Sequence, residues 1–464
     1  MTDPSSLSFL EVSLLGGLVC LILWETYRAW ISRDPLEIYK PTVILAVILV
    51  YYCVVGPLRA LSAGEWVDRG LDLRDSMVWG WGGALAFYGF VLIGFYNLPG
   101  WRINPHTTRQ LSINWAKKIG MRCNIIGLSL YTLATGTRIL AQLNPLDPLA
   151  NLILSQQSQG DEGSLIEGLS NYFSLSLNLL IPGTLLLFCA WIHEKRGLFS
   201  VVSWTFIAAA LFTTAGFRWR LVVLLVPMAM LWFLARQKKP QLVVISILTI
   251  GLITSAGLIG LTRNYGIGLN LAGVEEKSAA DVFSAGFHES SIFLTTGGVM
   301  KRAPDLIPFV GLTPLFNTAV FFVPRAFWPS KPSNEYVSNA TGRLYGSAAM
   351  SGGSAFMNYA EYYLMFGWVS LLGISLVIGQ LLRGLYNWFL LHRYDPSAQV
   401  AYSVTCCFLY VVVSRGYLPQ VFSLFCFTVL PLFFARRFSL NQPESQPFYP
   451  GGNQPPFQAK QPAA

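Results

Sequence analysis

Eleven long, mostly apolar runs joined by short polar connections leave this 464-residue chain few ways to fold. About 20 apolar residues in helical form cross a bilayer, and the helix satisfies its own backbone N–H and C=O groups where water is absent. The runs occupy 9–30, 42–61, 77–98, 119–140, 172–192, 199–215, 221–235, 242–261, 356–382, 398–414 and 418–434. They predict an all-α integral membrane protein, a polytopic bundle of about 11 transmembrane helices. Composition agrees, since only 12% of residues are charged, against about 25% in soluble domains.

Charge then orients the bundle. Arg28, Arg33 and Lys40 follow the first run, and every second connection after it is basic: Arg102, Arg109, Lys117 and Lys118; Lys195 and Arg196; Arg236, Lys238 and Lys239; His392 and Arg393; Arg436 and Arg437. Cytoplasmic connections are enriched in Lys and Arg, so these face the cytoplasm, with the N-terminus external and the C-terminus cytoplasmic in a plasma (inner) membrane. The connection 144–170, with Asp147, Asp161, Glu162 and Glu167 and no Lys or Arg, fits the outside. The net charge of +9 is spent on these orientation signals and on anionic-lipid contacts, which excludes nucleic acid as a partner. The chain divides into eight spans over 1–262, a long extracytoplasmic loop over 263–354, three spans over 355–438, and a Pro/Gln-rich cytoplasmic tail, predicted disordered, over 439–464.

One further apolar run, 306–324, would reverse the downstream alternation if it crossed, and it contains Pro308, Pro314 and Pro324. It reads as a re-entrant or interfacial segment within the external loop. The seven cysteines all lie in apolar runs with no His at ligand spacing, which indicates neither a disulfide framework nor a zinc site. No Lys or Arg precedes the first run, so that run is expected to remain as an anchor rather than be cleaved as a basic-start signal. No internal repeat supports inverted-repeat transport.

Cations on the wrong side of the orientation pattern mark the candidate site. Arg218 and Arg220 lie in the external turn Gly216-Phe217-Arg218-Trp219-Arg220; Arg263, Lys301, Arg302, Arg325, Lys331 and Arg343 lie in or beside the long loop; Arg415 lies in the last external turn. Charge at membrane depth is costly and tends to be retained for function, and the guanidinium fork matches phosphate oxygens. Snorkelling of each Arg to external headgroups is the alternative. For an acid or base, the external candidates are His288 and Glu289, then Glu335 and Glu361, with helix capping as the alternative for the two carboxylates Glu289 and Glu361.

The string Pro324-Arg325-Ala326-Phe327-Trp328-Pro329-Ser330-Lys331-Pro332, following an apolar run, resembles the Wzy-like oligosaccharide repeat-unit polymerases of O-antigen and exopolysaccharide. Glu361-Tyr362-Tyr363-Leu364-Met365-Phe366-Gly367 is similar to that family's Glu-x-Tyr-x-x-Phe-Gly pattern, and the 216–220 turn to its Gly-x-Arg element. The likeness covers about 215–385. It implies a membrane glycosyltransferase that transfers a growing glycan from a polyprenyl-pyrophosphate carrier to another lipid-linked repeat unit, on the external face of the membrane. Arg218, Arg220, Arg325 and Lys331 are then expected to hold the pyrophosphate, with Arg343 and Arg415 as further substrate-binding candidates, and Trp328, Tyr336 and Tyr345 to stack on sugars. His288, Glu289 and Glu361 are the candidate catalytic groups, and a chain-length regulator is a possible partner.

No cofactor and no metal is called for. The acidic connection 65–75 could offer oxygen ligands to Mg²⁺, but Arg69 and Arg74 interleave it, and it reads as a solvated charged link. Asn339-Ala340-Thr341 fits a glycosylation acceptor pattern, and Gly352-Gly353 a hinge. Two rivals remain: an O-antigen ligase, which shares the donor but uses a lipid acceptor, and a transporter or lipid flippase, which needs ionisable groups at the midplane rather than at span ends.

Overall fold

The computed structural model describes residues 7–100, 113–136, 138–144, 146, 172–264, 268–269, 277–287, 290–323, 328, 331, 335–346 and 355–438. His288, Glu289, Arg325, Arg102, Arg109, Gly352-Gly353, the acids of 147–170 and the tail 439–464 lie outside the described residues. The described chain is helical apart from two hairpins of two-residue strands, and it is a multi-pass membrane protein by the length and apolarity of its helices.

Helix α1 is Phe9–Ile31, with Ser8 and Glu11 exchanging bonds in a capping box. The second span is composite: α2 (Pro41–Leu49) runs through a π turn, Val50–Val55, into α3 (Gly56–Ala63). A hairpin, β1 (Val67–Asp68) with β2 (Leu71–Asp72), leads to α4 (Met77–Tyr96). Then follow α5 (Ile113–Thr135), α6 (Arg138–Gln142), α7 (Leu180–Glu194), α8 (Leu198–Thr214), α9 (Arg218–Leu234) and α10 (Leu242–Thr262). The hairpin β3 (Arg263–Asn264) with β4 (Gly268–Leu269) opens the long loop, which contains α11 (Ala279–Ala285), α12 (Ser290–Arg302), α13 (Thr313–Ala319) and α14 (Tyr336–Tyr345). The chain closes with α15 (Asn358–Phe366), α16 (Trp368–Leu391), α17 (Pro396–Ser414), α18 (Leu418–Thr428) and α19 (Leu430–Phe438).

Seven helices among the described residues are long and apolar enough to cross a membrane, fewer than the eleven runs predicted. Four runs fall short for separate reasons. Helix α5 carries Lys117, Lys118 and Arg122; α8 and α9 stop at 17 residues; and the last run breaks between α18 and α19. The ninth run is also shifted. Gly367, at φ 69°, divides it, so that nine-residue α15 is too short to cross and the span begins at Trp368. The described part of the further apolar run, 306–323, forms turns around short α13 rather than a long helix.

Close packing depends on missing side chains. Helix α4 lies along α16, and a Cβ on Gly94 would run into the carbonyl oxygen of Leu376, while one on Gly379 would run into that of Val91. Helices α5 and α7 meet in the same way, with Gly120, Gly127 and Gly183 at the seam. Helix α10 stands apart, with only 11% of its apolar window buried. The loop helix α12 packs against α4, and a Cβ on Gly297 would meet the carbonyl of Ser76. Around it, Arg74 forms a two-pronged ion pair with Glu11, Lys301 approaches Asp75 (3.7 Å), and the Tyr345 hydroxyl donates to Asp68 (2.7 Å). These contacts tie the loop to one end of the bundle, hereafter the loop end.

Candidate functional site

Helix α18 organises the loop end. Its first N–H groups have no acceptor within the helix, and Leu418 at its first position donates to both oxygens of Glu361, at 2.9 and 3.1 Å. Glu361 sits on α15, 1% exposed, and also accepts from the hydroxyl of Tyr336 on α14. The turn before α18 is held a second time where Gly416 N–H donates to the Phe356 carbonyl (2.7 Å). Burial pushes the Glu361 carboxyl up to about 7, against the opposing pull of the Leu418 and Tyr336 bonds. Glu361 therefore caps a helix, as one sequence reading allowed, but the helix is α18 rather than its own.

The 216–220 turn separates its two arginines. Gly216 adopts φ 75° and Phe217 is extended, so α9 begins at Arg218. Residues two apart on a helix point about 200° from each other. The Arg218 guanidinium accordingly lies against α10, where a Cβ on Gly260 would meet its Nη2 at 2.9 Å. Arg220 turns inward instead, to 7% exposure, and its Nε donates to Asn178 Oδ1 (3.1 Å). The rings of Phe217, Trp219 and Phe212 lie 4.8, 5.4 and 5.7 Å from its guanidinium carbon. No carboxylate among the described residues pairs with it. Asn178 is fixed in turn by donating to the Leu175 carbonyl (2.8 Å). This turn, Ser176–Leu179, packs against α18, so the turn that holds Arg220 and the carboxylate Glu361 both contact that helix.

The other predicted groups divide. Arg415 ends α17, half-buried, one residue before the turn that Glu361 and Phe356 hold. Lys331 donates to the carbonyls of Phe321 (2.7 Å) and Val323 (3.0 Å), and so closes the chain that follows α13. That segment reaches α18 through α13 and through the edge-to-face pair Phe322–Phe422. The Trp328 carbonyl accepts from the backbone N–H of Lys331 (3.0 Å). Arg343 lies elsewhere, donating to the Leu306 carbonyl (3.2 Å).

Two expected sugar platforms are otherwise engaged. Tyr336 is buried against Glu361, and Tyr345 is buried between Asp68 and Thr295, so neither ring presents a free face. The carboxylates of 65–75 are likewise taken up by protein partners, with Glu65 on Arg59 and Asp68 on Tyr345. Among the described residues no three His, Cys, Asp or Glu side chains converge as a metal site. Asn178 was not singled out from sequence, although an amide inside an apolar run was visible there. Tyr336 was noticed for its ring, not for its hydroxyl.

No protein-family model, curated protein or solved structure matches this chain.

Proposed function

We propose that this protein is a membrane glycosyltransferase that polymerises polyprenyl-pyrophosphate-linked oligosaccharide repeat units on the external face of the plasma membrane. The observation that carries this reading is Arg220, a buried guanidinium with an amide partner and no carboxylate partner among the described residues. An uncompensated cation inside a helical bundle is destabilising, and an anion held there relieves that cost. In this reading the leaving pyrophosphate lies between Arg220 and the α18 side of the loop end, with Arg415 and Arg325 adding positive charge as negative charge develops on it. The acceptor hydroxyl loses its proton to a base, for which His288 and Glu289 are the candidates. Glu361 works by holding α18, and Lys331 by closing the segment after α13. The resemblance at 324–332 and 361–367 supports the assignment of donor class. In this reading eleven spans cross the membrane, the ninth from Trp368 onward and the shorter ones within the bundle, and 306–324 rests at the external interface.

Purified protein in liposomes, supplied with lipid-linked repeat units, tests the reading. Wild type is expected to lengthen the glycan, while Arg220→Gln loses about 10²–10³ in rate and inserts normally. Arg220→Lys is expected to recover only part of the rate, because an ammonium lacks the planar fork. Unchanged glycan lengths in Arg220→Gln would rule out this role, and transfer only to a lipid A core acceptor would assign the chain to ligation.

A further inference from the structure

The end of the bundle opposite the loop collects charge that the proposed reaction does not use. Tyr39 donates to the Lys238 carbonyl (2.9 Å), Lys239 to the carbonyls of Trp30 (2.6 Å) and Ser32 (2.7 Å), and Arg393 approaches Asp34 (3.8 Å). These contacts bring six cations, Arg28, Arg33, Lys40, Lys238, Lys239 and Arg393, together at an end that holds four carboxylates, Glu25, Asp34, Glu37 and Asp395, the last accepting from Ser397. Each carboxylate is already engaged. Glu25 accepts from Thr42 and Tyr96, Glu37 pairs with Lys40, and Asp34 faces Arg393. Arg28 and Arg33, both exposed, have no carboxylate partner among the described residues.

Arg28 is nevertheless held in place. Its guanidinium carbon lies 4.5 Å from the centre of the Tyr96 ring and 5.5 Å from that of Trp24. Trp24 also forms a wall of a shallow hollow on the outer face of α1, completed by Leu23, Thr26, Tyr27 and Trp30. One ring thus separates an unpaired cation from an apolar recess about one helical turn away, and rings of this kind favour the headgroup level of a bilayer.

The geometry points to a binding site for an anionic phospholipid, its phosphate on Arg28 and Arg33 and one acyl chain in the hollow beside Trp24. Charge selects this occupant, since a zwitterionic lipid or an apolar helix leaves the net positive end uncompensated. The site is independent of the glycan reaction.

Native mass spectrometry of the full-length protein, titrated with dioleoyl phosphatidylglycerol or dioleoyl phosphatidylcholine, tests it. Wild type is expected to bind the anionic lipid at least tenfold more tightly, and the double variant Arg28→Gln, Arg33→Gln to keep less than a threefold preference with phosphatidylcholine binding unchanged. Equal binding by wild type, or a preference retained in the double variant, overturns the site. So does displacement of the lipid by millimolar glycerol phosphate, which would reveal a headgroup contact without a chain site. If the double variant does not fold, Thr26→Trp decides, because it fills the hollow from the outer face: a loss of anionic-lipid preference supports the site, and its retention refutes it.

Discussion

Glu361 is where a single residue has the widest reach. A hydrogen bond to a charged group contributes about 1.5–3 kcal/mol, and this carboxylate accepts from two different segments at once. Its burial also makes stability depend on pH. The folded carboxyl is raised from 4.5 to about 7, so the folded state holds the proton more tightly than the unfolded one. Its contribution is fully present below the unfolded value and is lost as pH rises through the folded one. The thermal midpoint of wild type, measured relative to Glu361→Gln, is therefore expected to fall between about pH 4.5 and pH 7 and then level off. A difference that stays flat over that window removes the buried-acid account. The sequence showed that Glu361 opens an apolar run, and from there a cap was legible. Its partners were not, because Tyr336 and Leu418 lie 25 and 57 residues away and no local pattern encodes that meeting.

Among the elements, α4 and α16 offer the cleanest test of packing. Their backbones approach where Gly94 and Gly379 face each other's chains. Adding one methyl at either glycine forces the helices apart, and overpacking of this kind costs about 1–3 kcal/mol. Gly94→Ala is expected to lower the thermal midpoint clearly, while Gly373→Ala, with open space around it, stays neutral or gains slightly from better helix propensity. Equal midpoints for the two variants would refute the close approach. At this scale the apolar runs foretold nearly every long helix, since hydrophobic length is a one-dimensional property. Their ends were less visible. Gly367 breaks the ninth run through a backbone angle that apolarity does not register, and the separation of Arg218 from Arg220 follows only once α9 is known to begin between Phe217 and Trp219.

For the whole molecule, orientation is the property on which the proposed reaction depends. In a cysteine-free background, Lys277→Cys and Glu335→Cys are expected to react with an impermeant maleimide on intact cells, and Lys238→Cys only after permeabilisation. The reverse pattern would put the loop end in the cytosol and end the external reaction. The expectation of this orientation rests on the basic connections alone, because charge bias is written residue by residue. The candidate site was only half legible. Arg220 stood out as a cation in the wrong place, yet its inward turn toward Asn178 depends on how α7, α9 and α18 assemble.

The fastening of α14 to α18 through one carboxyl carries an evolutionary corollary. Tyr336 and Glu361 share a bond that neither can replace with water, so the loss of Glu361 strands the Tyr336 hydroxyl, and the loss of Tyr336 leaves Glu361 with the Leu418 N–H alone. Lineages that descend from this sequence are constrained to alter both positions together or to keep both.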